Sequence, residues 1–96
     1  MREREIERKL RQAIENRGGL ALKMTGVVGI PDRLILLPGR PAAFAETKTA
    51  DGRLSERQKF MIRRLAALGF QAVVIRDDDD IAELLGSTIK KGEDHE

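Results

Sequence analysis

Ninety-six residues suit one domain, spanning 1–96, with a single modest core, and a hydrophobic content of 41% with no apolar run approaching ~18 residues excludes a membrane-spanning helix. The absence of cysteine removes disulfides and thiolate metal sites, and the one histidine, His95 in a polar tail, removes His-based zinc chemistry, so any metal must be held by carboxylates, carbonyls and water. Net charge is only +2, yet bases crowd Arg2–Arg17 and Arg53–Arg64 while acids collect at Asp77–Asp80 and in the tail, an asymmetry that suits phosphate-backbone contact as well as it suits solvated helix faces.

The chain opens with a predicted helix over Glu3–Asn16, where Ile6, Leu10, Ala13 and Ile14 recur at helical spacing and Gly18-Gly19 supplies the stop. Glu3 and Glu7 lie on the same side as Leu10 and Ile14; each could look along the core towards a site, or simply favour the helix dipole. Leu20–Met24 reads as a short strand and Thr25–Gly29 as a flexible turn. Lys23 reads as an edge-strand lysine, or alternatively as a phosphate contact. Arg33–Leu37 is nearly all apolar, as expected of a strand covered on both faces, and Phe44–Lys48 is its antiparallel partner, giving a three-stranded meander.

After a loop at Ala50–Arg53, Ser55-x-x-Gln58 has the form of a capping box and starts a helix that runs to about Leu68 and ends at Gly69. Gln58, Ile62 and Leu65 share a stripe facing the sheet, so the Gln58 amide has a second use open to it, on a catalytic group. Phe70–Ile75 reads as a buried strand, parallel to its predecessor through a right-handed crossover. Ile81, Leu84 and Leu85 mark a last short helix, with Asp77–Asp80 capping it and complementing its dipole rather than binding metal, and the chain is polar beyond Gly86. The order is α-β-β-β-α-β-α: an α/β domain with a mixed sheet flanked by helices. Three Phe, with no Trp or Tyr, argue against base stacking on single strands and for duplex or branched shapes gripped through phosphates.

The hairpin between Pro31 and Lys48 carries ionisable residues at its open end. Glu46 and Lys48, two apart in a strand, point the same way. A connection closing symmetrically about Gly39-Arg40 would set Asp32 opposite Thr47, facing away from Glu46. A connection of odd length would set it opposite Glu46 or Lys48, on the shared face. Two converging carboxylates repel unless a cation sits between them, and hard oxygen ligands with open positions suit Mg²⁺ or Mn²⁺.

Pro31-Asp32 followed by Glu46-x-Lys48 resembles the PD-(D/E)xK nuclease signature. The continuation Gly52-Arg53-Leu54-Ser55-x-x-Gln58 and Leu65-x-x-Leu68-Gly69 is similar to the VRR-NUC family, the module also found in Fanconi-associated nucleases. The resemblance covers the chain from the first helix to about Leu85 and implies a restriction-endonuclease-like αβββαβ core. It implies a metal-dependent endonuclease hydrolysing DNA phosphodiester bonds. Asp32, Glu46 and the Thr47 backbone carbonyl would hold Mg²⁺ or Mn²⁺, with Glu7 as a further ligand and Glu3 as second choice. Lys48 would orient the attacking water or neutralise developing charge, and Gln58 would position the lysine or the water. Arg53, Arg57 and Lys23 would bind the DNA backbone. Stand-alone members resemble homodimers acting on four-way junctions, in the cytoplasm of a bacterial or phage-infected cell; no signal-peptide pattern opens the chain. The rival expectation is a non-catalytic DNA-binding or assembly module that keeps the fold.

Overall fold

The computed structural model describes residues 1–93, with side chains placed as far as Gly86; His95 lies outside the described residues. Helix α1 spans Glu3–Asn16, and three strands follow: β1 (Leu20–Lys23), β2 (Arg33–Leu36) and β3 (Ala43–Thr47). Helix α2 (Glu56–Ala67), strand β4 (Gln71–Ile75) and helix α3 (Asp78–Glu93) complete the chain. The sheet order is β1-β2-β3-β4, antiparallel through β3 and parallel between β3 and β4. That is the α-β-β-β-α-β-α order and the mixed sheet that periodicity calls for.

One face of the sheet holds the core. Ile6, Leu10 and Ile14 of α1 and Ile81, Leu84 and Leu85 of α3 close over Ala21, Ile35, Ala43, Ala45 and Ile75. Burial of each large aliphatic contributes roughly 1.5–3 kcal/mol, which is what fixes α1, a helix with no side-chain N-cap bond, against the sheet. Lys9 of α1 pairs with Asp78 of α3 at 3.1 Å and joins the two covering helices. Where α1 turns into β1, a Cβ on Gly19 would stand 2.2 Å from the Leu36 carbonyl, so only glycine lets the chain pass.

The opposite face is covered in part. Helix α2 lies against β4 and buries Leu65, and Phe44 of β3 meets Phe70 edge to face at 5.9 Å. Among the described residues no helix covers the β1–β2 half of this face, so Leu34 and Leu36 are only half-buried while Leu20 and Leu22 are exposed. The expectation that β2 is covered on both faces is therefore corrected: its apolar run records a face that α2 does not reach. The last helix also departs from expectation, since α3 has 16 residues rather than being short. A lone glycine at position 86 costs only about 1 kcal/mol inside a helix, too little to end it. Asp77 caps α3, its Oδ1 accepting from the Asp80 amide at 2.9 Å, in keeping with the capping role read for the acidic run.

Candidate active site

Strand β3 alternates between its two faces, and that alternation builds the site. Ala43, Ala45 and Thr47 face the core, so Phe44, Glu46 and Lys48 face the side on which α2 lies. Pairing of Arg33 with Ala45 and Ile35 with Ala43 sets Asp32, one residue before β2, opposite Glu46. This is the register of an odd-length connection, and it brings the two carboxylates together.

The contacts there are specific. The Asp32 amide donates to Glu46 Oε1 at 3.2 Å, while Asp32 Oδ2 accepts from the Thr47 amide at 3.0 Å and the Thr47 hydroxyl at 2.6 Å. The N–H and C=O of one strand residue point to the same edge, so the Thr47 carbonyl is directed to the Asp32 side as well. Glu46 Oε2 accepts from Gln58 Nε2 at 3.0 Å and lies 3.8 Å from Lys48 Nζ. Gln58 serves both of the uses open to it: its Oε1 accepts from the Ser55 amide at 2.8 Å in the capping box, and its Nε2 holds the carboxylate. It bonds Glu46, not Lys48.

Glu46 is 2% exposed, and its carboxyl is raised from 4.5 to about 7, first by burial and then by the negative charge of Asp32; Lys48 and the Asp32 amide pull the other way. Of the two α1 acids, Glu3 is the one whose charge adds to this rise. No group of three or more His, Cys, Asp or Glu gathers among the described residues. The groups that could hold a cation here are Asp32, Glu46 and the Thr47 carbonyl, and the destabilised negative charge on Glu46 is what a divalent cation would relieve. Mg²⁺ is commonly held by one or two carboxylates with water and phosphate completing its shell, so these residues fit it.

Lys23, Arg53 and Arg57 are all exposed. Arg53 lines a cleft of about 400 Å³ with Gly52, Leu54, Glu56, Lys59 and Arg76, beside the loop that follows Lys48. Two supporting residues escape a reading of the sequence. The Thr47 side chain fixes Asp32, a role signalled only by a polar residue falling on the core face of β3. Arg76 donates to the carbonyls of Thr49 at 2.6 Å and Gly52 at 2.7 Å, clasping that loop, and nothing in the sequence pairs it with them.

No family model matches the chain. A protein of Acyrthosiphon pisum secondary endosymbiont phage 1, named "Putative nuclease p44", is 36% identical over 87 residues, covering 88% of this chain and 92% of the phage protein. A solved structure described as a VRR_NUC domain superposes with a TM-score of 0.81 at 24% identity, covering 88% of this chain and 94% of its own. A relative matched nearly end to end and a shared fold lead to one conclusion: the chain belongs to the VRR-NUC family of nucleases.

Proposed function

We propose that the protein is a Mg²⁺- or Mn²⁺-dependent DNA endonuclease that acts on branched DNA as a homodimer. The observation that carries the reading is the meeting of Asp32 and Glu46, with Lys48 3.8 Å from Glu46, at the end of two adjacent strands. Hydrolysis forms a bond from a water oxygen to phosphorus and releases a sugar oxygen, which takes up a proton. Asp32, Glu46 and the Thr47 carbonyl would hold a divalent cation, which when bound would supply positive charge to the phosphate and acidify water. Glu7 of α1 is the further ligand in this reading, with Glu3, whose charge adds to the rise of the Glu46 carboxyl, as second choice.

The chain's own groups do the rest. Thr47 locks Asp32 through two hydrogen bonds, and Gln58 locks Glu46 from a rigid helix start, so both carboxylates are oriented before substrate arrives. Lys48 orients the attacking water and offsets charge developing on the phosphoryl oxygens. An ordinary lysine near ~10.4 is a poor base, so orientation and charge come first. Arg53, Arg57, Lys59 and Lys23 bind the DNA backbone. The open β1–β2 face, with Leu20 and Leu22 exposed, supports a second copy as its cover, and two active sites related by a twofold axis would give paired cuts.

Incubation of the protein with four-way and linear DNA plus Mg²⁺ or Mn²⁺, beside Lys48→Ala, tests this. Cleavage by the parent and not the variant is expected. Equal processing by both, or none by either, would assign the chain to DNA binding or assembly without catalysis.

A further inference from the structure

The turn from Thr25 to Ile30 carries two valines into solvent beside the site. Val27 is 52% exposed and Val28 75%, a costly display for β-branched apolar side chains in so small a protein. The turn is also braced. Ile30 N–H donates to the Val27 carbonyl at 3.1 Å, and at the base of the turn the Met24 amide donates to the Asp32 carbonyl at 2.7 Å. From α2, Arg57 Nε donates to the Val28 carbonyl at 3.3 Å, while its guanidinium lies over the Phe60 ring at 4.9 Å. Gly29 has φ +81°, and a Cβ there would meet Arg57 Cγ at 2.6 Å and the Arg57 carbonyl at 2.8 Å, so glycine is required for the turn to seat on the helix.

The turn is tied to the reacting centre at both supports. Asp32 is four residues beyond Val28, and Arg57 precedes Gln58, which holds Glu46. Resting on the nuclease reading above, we propose that Val27 and Val28 form a fixed apolar wedge that packs against an unstacked base step at a DNA branch point. Apolar side chains inserted at weakened steps are a general way to recognise distorted duplex. The occupant follows from charge. Arg57 braces the turn and Lys23 stands at its root, surroundings that attract phosphates, whereas a second copy docking through the same turn about a twofold axis would oppose Arg57 to Arg57. Four residues span at most about 14 Å, and nucleotides rise ~3.4 Å along a strand, so the cut falls within about four nucleotides of the branch.

The test uses a four-way junction and a linear duplex of matching sequence, each with 2-aminopurine at the branch or equivalent position. Ca²⁺ replaces Mg²⁺ to slow hydrolysis. The protein is compared with Val27→Ser/Val28→Ser, which keeps the turn and removes its apolar surface. The wedge predicts a several-fold rise in emission on the junction with the parent, loss of that rise in the variant, and about tenfold weaker junction binding with duplex binding unchanged. An equal rise with the variant overturns it. So does a variant that converts a dimer to monomer in sedimentation, which would assign the turn to a subunit contact. A parent that cleaves junctions in Mg²⁺ without raising emission sinks the wedge alone. A parent that raises emission yet cleaves no DNA in Mg²⁺ or Mn²⁺ keeps the wedge and sinks the nuclease reading.

Discussion

Glu46 is held in a state that costs stability and that, in the function proposed above, serves cation binding. In the unfolded chain it ionises near 4.5 and in the fold near about 7, so folding between those values takes up a proton. Its contribution therefore favours the fold most below pH 4.5, weakens as pH rises through the window, and levels off above pH 7 at a loss of about 3 kcal/mol. Denaturant midpoints in chelator at pH 5 and pH 8 should move down with pH, and Mg²⁺ should restore the loss at pH 8. Glu46→Gln should remove that pH dependence, raise metal-free stability at pH 8 by about 1–3 kcal/mol, and abolish cleavage. Gln58 divides along similar lines. Gln58→Glu keeps an acceptor for the Ser55 amide but sets a second carboxylate against Glu46; helix stability should hold while the pH at which half-maximal cleavage is reached moves up. Gln58→Ala loses cap and brace together and should cost about 1–2 kcal/mol on thermal unfolding.

Elements matter here through what they leave open as much as through what they cover. Helix α2 covers β4 and reaches Glu46 but not β1, so the apolar face of β1 and β2 has no partner among the described residues. If the proposed dimer covers this face, Leu22→Glu should yield a folded monomer in sedimentation whose thermal midpoint no longer depends on protein concentration, because the side chain is 43% exposed in the isolated chain. The loop from Thr49 to Gly52 rests instead on one guanidinium. Arg76→Ala should leave the Ala50 and Gly52 carbonyls without this donor and Thr49 with the Gly52 amide alone, cost about 1–3 kcal/mol, and lower the turnover rate more than it weakens DNA binding.

Much of this was legible from local rules. Helical spacing located α1 and the capping box located the start of α2, because both are set by residues within a few positions of one another. Glu46 and Lys48 share a face by alternation alone. Asp32 could not be placed that way, since its facing depends on whether the connection near Gly39 is odd or even, and only pairing with β3 settles it. The bare half of β2 was hidden for a related reason: Leu34 and Leu36 look the same in sequence whether covered or not, and the reach of α2 is a long-range property. Arg76 was invisible because its partners are backbone carbonyls, which carry no sequence mark.

At the scale of the whole molecule, the core and the chemistry hang on the same strand pairing. Ile35 opposite Ala43 belongs to the buried cluster, and the alignment that keeps those two inward is the one that sets Asp32 against Glu46. A slip of one position would expel Ala43, Ala45 and Thr47 from the interior, so a folded but misaligned population has no means of support. Fidelity of the catalytic centre is thus inherited from foldedness itself. The distant tip around Gly39 is free to drift: one or two glycines inserted there should leave the cleavage rate within about twofold in a single-turnover assay, whatever the parity of the lengthened tip, because the interior and not the bend keeps the phase.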